Sequence, residues 1–338
     1  MKKTLLMLLL AASLCQLASA QNWVPTGTPP STPITWMIID GSTLYATAQK
    51  QGSQMGGVFR GNLAAQPSQV WANPTHINYN LNLNTSTTPF SILVKKPYVY
   101  VGTGDGPNGI FRSNDVPHLD WMTNVTPPPP PGQTFNGALF HAFVEDQHFI
   151  YAGTARGTGP GKGVWQLNPQ TGAWNSCSAG LSAGAMSVNK LAIWGNEIYA
   201  ATTDGIWHAN HTTTLAWTRM GLAGQNVTAL IIADGKYVIG GTGNGKVYHA
   251  ALGTTNFIVD AAGLPTAQVN ALRFFSNTLY AGTSGSGAMF QTTSSTSSLF
   301  PVTWKQSNVN NQFNSVLCFE SKGNYFFAGT DKGVWEAK

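Results

Sequence analysis

The chain has 338 residues, with 18 Lys and Arg, 13 Asp and Glu, and a formal net charge of +5. Charged residues make up 9% of it and hydrophobic residues 42%, where an average soluble protein is roughly a quarter charged. That balance supports a sizeable core and excludes charge-driven disorder, coiled coils and helical bundles. The basic residues are scattered, with no stripe that would track phosphates, so nucleic acid is not expected as a partner.

In chain order, residues 1–20 come first. Lys2 and Lys3 precede a short apolar run, and Ala18-Ser19-Ala20 supplies small residues. The pattern predicts a secretory signal of bacterial type, cleaved after Ala20, with export to the periplasm or beyond the cell. The run is shorter than the ~20 apolar residues a transmembrane helix needs, so no such helix is expected. Leu14 stands before Cys15 where a lipoprotein signal carries a small residue, which disfavours a lipid anchor.

Residues 21–338 are expected to form one domain, built from a repeat. The phrase LYATA at 44–48 recurs as VYVGT (99–103), IYAGT (150–154), IYAAT (198–202), VIGGT (238–242), LYAGT (279–283) and FFAGT (326–330). An aromatic follows each copy: Phe59, Phe111, Trp165, Trp207, Tyr248, Phe290 and Trp335. A second aromatic follows the first six: Trp71, Trp121, Trp174, Trp217, Phe257 and Trp304. A short apolar stretch precedes every phrase. Four short segments per unit, separated by turn residues, fit four antiparallel strands. Asp204-Gly205 reads as a two-residue hairpin of type I′. Units of this length, seven times over, predict an all-β, seven-bladed propeller with four strands per blade. The seventh unit lacks its last aromatic, and Trp23 supplies one at the other end. The strand near Trp23 is therefore expected to complete the last blade and close the ring, removing two sheet edges.

The phrase followed by Gly, an aliphatic residue and an aromatic resembles the blades of YVTN, WD40-like and Asp-box propellers of the sialidase and sortilin kind. The resemblance covers the whole exported chain and implies the fold. It leaves function open, because this fold hosts hydrolases, lectins, receptors and scaffolds. Ser113, Asp115 and Trp121 approach an Asp-box without its glycine or its spacing.

The two aromatic rings are expected to pack blade against blade, and Trp36 and Trp194, outside both rings, to be core as well. Cys177 and Cys318 fall in blades 3 and 7, too far apart for a disulfide, and are expected to be free and buried. A polar ring stands two residues before the centre of each first strand: Thr35, Ser91, His141, Asn189, Thr228, Asn270 and Ser315. It should lie near a mouth of the central channel, binding water, capping strands, or facing a ligand, with His141 the member able to titrate near neutral pH. The turns and links of blades 1 to 3 are long and emerge on one face. They carry Lys50, Gln51, Asp105, Asn108, Arg156 and Lys162, and Pro127 to Pro131 form a stiff spacer within one link. No carboxylate pair, GxSxG elbow, P-loop or HExxH spacing stands out. His208 and His249 share a repeat position with Arg60 and Arg112, and a metal there is not expected. No cofactor or catalytic residue is assigned. The sequence favours a non-catalytic module binding an extracellular or envelope protein, or a glycan. A carbohydrate-active hydrolase or lyase at the channel mouth and an envelope assembly scaffold are the alternatives.

Overall fold

The computed structural model describes residues 23–26, 32–49, 56–63, 88–104, 109–114, 123–128, 135–157, 159–212, 215–285, 288–292, 300, 302–307 and 313–337. The signal segment, Trp71 and Trp121 lie outside them.

Seven antiparallel sheets succeed one another along the chain. Their innermost strands are Ile34–Asp40, Thr88–Lys95, Ala138–Glu145, Val188–Trp194, Val227–Ala233, Val269–Phe275 and Val316–Lys322. Each inner strand packs on the next, and the last returns to the first. The molecule is a seven-bladed propeller of four-stranded blades; in blade 1 three strands lie among the described residues. Trp23–Pro25 pairs antiparallel with Gly333–Ala337, in the register Trp23 to Ala337 and Pro25 to Trp335. The two ends of the chain thus close the ring, as the displaced aromatic predicts.

The second strand of each blade carries the repeated phrase and is buried on both faces, because a blade is covered by a neighbour on either side. Seven hydrophobic clusters form, one at each seam between adjacent blades. Each position in the phrase has a physical cause. The threonine hydroxyl at its end donates to the carbonyl at the start of the third strand: Thr154 to Gly163 at 2.9 Å, Thr202 to Gly205 at 2.9 Å and Thr330 to Gly333 at 2.9 Å. This bond clamps the turn between second and third strands. The glycine before it makes room for the next blade. A Cβ on Gly153, Gly241 or Gly282 would stand 2.7, 2.5 or 2.6 Å from a methyl of Val188, Val269 or Val316.

Among the described residues, the ring aromatics other than Tyr248 pack into the seam clusters. Outer-strand tryptophans also bond across seams: Trp174 Nε1 to the Val125 carbonyl at 2.6 Å, Trp217 to Cys177 at 2.7 Å and Trp304 to Asp260 at 2.9 Å. Cys177 and Cys318 are free and buried. Two expectations are corrected. Trp194 is 51% exposed, at the end of its inner strand and paired with Glu197, where its ring covers Gly235. The hairpin near Asp204 is closed by Thr202 and Gly205, so its central residues are Thr203 and Asp204, and Gly205 alone takes positive φ (92°). A turn with two left-handed central residues occurs instead at Ser276-Asn277 (φ 47° and 60°).

The close seams give the first prediction. Gly241→Ala should destabilise the fold by about 1–3 kcal/mol in chemical denaturation, the range for overpacking. Ala201→Gly, at the matching position of blade 4, should cost no more than about 1 kcal/mol.

Candidate functional site

Every inner strand carries a β-bulge near its start, where one extra residue is left out of the ladder. The extra residues are Thr35, Phe90, His141, Asn189, Thr228, Asn270 and Leu317. Five of the seven polar residues singled out in the sequence are thus the bulge residues. Ser91 follows the bulge of blade 2, and Ser315 precedes the inner strand of blade 7. The repeat register slips by one residue in blade 2 and by two in blade 7.

These side chains face the next blade. Thr35 Oγ1 donates to the Pro89 carbonyl at 2.8 Å, and Ser91 Oγ to Phe140 at 2.8 Å. His141 Nδ1 donates to Asn189 at 2.9 Å, and Asn189 Nδ2 to Val227 at 2.7 Å. Thr228 Oγ1 donates to Val269 at 2.6 Å, and Asn270 Nδ2 to Val316 at 3.0 Å. Cys318 Sγ, in the place Ser91 holds in blade 2, reaches the Ile34 carbonyl at 3.6 Å. One donor per blade, each reaching a main-chain carbonyl of the next inner strand at its bulge, makes a closed girdle of seven bonds. Ser315 stands apart from it. Its N–H donates to Asp331 at 3.0 Å, and its hydroxyl accepts from Gly285 N at 3.4 Å.

Below the girdle the seven inner strands enclose a central cavity of about 330 Å³. Most of its lining residues are apolar, Ile38, Ile92, Leu93, Phe143, Leu230 and Phe319 among them, although the wall they present is almost evenly divided between polar and apolar surface. Among the described residues three charged ones line it: Lys190, Arg273 and Glu320. Arg273 is committed. Its guanidinium donates to Glu320 at 2.9 Å and to the Ser321 hydroxyl and carbonyl, both at 2.8 Å. Burial pushes the Glu320 carboxyl up, and Arg273 opposes that rise. Lys190 is different. Its ammonium lies 3.8 Å from the centre of the Trp36 ring, which belongs to a blade across the channel. Among the described residues no carboxylate forms an ion pair with it. Burial lowers its pKa to about 8.

Sequence reasoning did not single out Lys190, and expected Trp36 in the core. A signal was present: the residue after each bulge is Trp36, Ser91, Ala142, Lys190, Ala229, Ala271 or Cys318. A lysine breaks that series of uncharged residues.

Of the loop residues, Arg156 is exposed and Lys162 half-buried, both on the hairpin between the second and third strands of blade 3. That hairpin is anchored by its backbone, through Arg156 N to Ser187 Oγ at 2.8 Å and Lys162 N to Thr154 Oγ1 at 2.6 Å. Lys50, Gln51, Asp105 and Asn108 lie outside the described residues, as does most of the proline run. The third-strand polar position packs within the blades. Arg60 and Arg112 lie over the rings of Tyr45 and Tyr98. His208 pairs with Glu197 at 2.9 Å, and His249 with Asp260 while stacked on Phe300. The two histidines have separate partners. No group of three or more potential metal ligands occurs among the described residues.

His141 gives a pH prediction. Burial first, and the Lys190 charge second, hold its pKa at about 4, below the ordinary 6.5, against the favourable bond to Asn189. Its neutral form is therefore the one the fold stabilises. Stability should be intact above pH 6.5 and fall as the pH drops from 6.5 towards 4, by up to about 3 kcal/mol. His141→Asn, which keeps an amide donor as in blades 4 and 6, should flatten that slope in denaturation curves taken across this range.

The fold has relatives. The family model for the DUF6242 beta propeller domain matches residues 119–328. No sequence among the curated proteins matches the chain. Among solved structures, the extracellular domain of BT4673 from B. thetaiotaomicron is similar, with a TM-score of 0.67 at 15% identity. That likeness covers 94% of this chain and 40% of the other, so the chain spans about two fifths of that structure's length. Virginiamycin B lyase from Staphylococcus aureus gives a TM-score of 0.69 at 10% identity, over 94% of this chain and 98% of the lyase. YCF48 bound to D1 peptide gives 0.63 at 12%, over 94% of each. At such identities the likeness is one of fold alone. The family match spans more than half of the sequence, and the chain belongs to the DUF6242 β-propeller domain family.

Proposed function

We propose that the chain is an exported binding module. It offers the face of the second-to-third-strand turns, with the long loops of blades 1 to 3, to an extracellular or envelope protein or to a glycan. The use of the acidic side chains carries this reading. Among the described residues, eight carboxylates sit against basic side chains. Several of these pairs tie neighbouring blades: Asp40 to Lys96 at 3.0 Å, Glu145 to Lys95 at 2.9 Å, Asp146 to His211 at 2.9 Å and Glu320 to Arg273 at 2.9 Å. Asp331 accepts from the backbone of Asn314 and Ser315. A glycosidase or lyase needs a carboxylate at liberty to move a proton or attack, and these are held by structural partners.

Other observations support the reading. A propeller of the same fold, YCF48, carries a bound peptide. A similar propeller belongs to an extracellular domain, which suits export through residues 1–20. The low charge favours recognition by neutral hydrogen bonding over electrostatic steering.

The test places the chain, freed of residues 1–20, on a glycan array and in pull-downs from envelope and host-cell extracts. Any ligand found is then titrated against variants. Arg156→Ala with Lys162→Ala should weaken saturable binding at least tenfold. Trp194→Ala, on the opposite face, should leave it unchanged. A ligand indifferent to the first pair, or no saturable ligand of either class, would overturn the placement of the face.

A further inference from the structure

The central cavity holds a charge that the fold does not use. The other charged pairs join strands or blades or lie at the surface. The Lys190 ammonium, by contrast, lines the central cavity against the Trp36 ring, with no carboxylate paired to it among the described residues. Keeping a cation there costs free energy, and nothing in the girdle or the seams requires it: alanine fills the same position in blades 3, 5 and 6. The cavity is of the size that small-molecule sites begin at, and like them it joins apolar side chains to a few placed polar ones.

We propose that the cavity is a binding site for a small monocarboxylic acid with an apolar body, its carboxylate paired with Lys190 and its body set against Trp36, Leu230 and Phe319. The inference goes beyond the outer-face reading and does not depend on it. Three observations select this chemistry. Charge comes first: Lys190, Arg273 and Glu320 are the charged residues of the wall, and the last two neutralise each other. One positive charge remains, which matches a monoanion. A phosphate ester would need more donors than one ammonium offers. The second is donor supply. Asn270 is the amide of the wall, and its Nδ2 is already bonded to Val316 and Ser284, while its Oδ1 accepts from Gln268. A sugar, with many hydroxyls, would find few free side-chain partners. The third is the wall itself, whose aliphatic and aromatic side chains reward an apolar body.

The groups facing Lys190 are His141 in blade 3, Cys318 and Glu320 in blade 7, and Arg273 in blade 6. Burial holds the Cys318 thiol up at about 12 and His141 down at about 4, so both are neutral near pH 8. A carboxylate beside Lys190 should raise the lysine pKa from about 8, and binding near pH 8.5 should take up a proton from buffer.

The experiment is calorimetric titration of the whole protein with hexanoate and benzoate, beside hexanamide and benzamide, at pH 7. Repeats at pH 8.5 in two buffers of different ionisation heat count the protons. The carboxylates should bind at least tenfold more tightly than their amides, with proton uptake at pH 8.5. Lys190→Met should abolish the preference. Lys190→Arg should retain it, which separates loss of charge from loss of fold. Amides binding as tightly as acids, an unchanged preference in Lys190→Met, or no heat from either acid at millimolar concentration would each overturn the proposal. The titration needs no partner for the outer face, so its failure would leave that reading standing.

Discussion

The distance at which neighbouring blades meet governs the rest of this structure. Second strands lie so near the inner strand of the next blade that glycine stands at the contact in blades 2, 3, 5, 6 and 7, with Val188, Val269, Val316 or Ile34 against it in four of them. At that distance the bulge carbonyl of each inner strand comes within reach of a side chain from the blade before. Seven such bonds run around the axis, and the last, from Cys318 to Ile34, joins the end of the chain to its beginning. Pairing of Trp23–Pro25 with the final strand repeats that join at the rim. Closure is thus made twice, at the inner radius by polar bonds and at the outer radius by a strand.

A ring closed this tightly leaves little freedom at its axis. The side chains after the bulges are small where they need only fill space, as Ala142, Ala229 and Ala271 show, and the volume they leave is the central cavity. Lys190 and Trp36 enter that volume from opposite blades and meet over it. The same burial that depresses the Lys190 pKa also raises the Cys318 thiol, and Lys190 adds to the fall of His141. The electrostatics of the channel therefore follow from its closure.

The architecture was legible because each seam demands the same residues seven times. Glycine, threonine and an aromatic recur at spacings that only a repeated contact explains, and the missing outer aromatic located the closing strand at Trp23. The polar ring was legible in five blades and misplaced in two. Phe90 and Leu317 occupy the bulge there, and periodicity alone does not say which residue of a strand is the extra one. Trp194 was misjudged because the last residue of an inner strand can stand at the exposed rim as well as in a seam. Lys190 went unnoticed because it belongs to no recurring set. A repeat makes its shared positions conspicuous and hides the position where one blade departs from the others, and that departure is where this channel acquires its charge.

The central claim is that the girdle is one cooperative ring. Native-state hydrogen exchange of the wild type and of Asn270→Ala tests it most directly, since the substitution removes one of the seven bonds, between blades 6 and 7. The account predicts that protection falls together in the inner strands of all seven blades, because an opened ring loses closure everywhere. Exchange that quickens only in blades 6 and 7, with the other five unchanged, would contradict it.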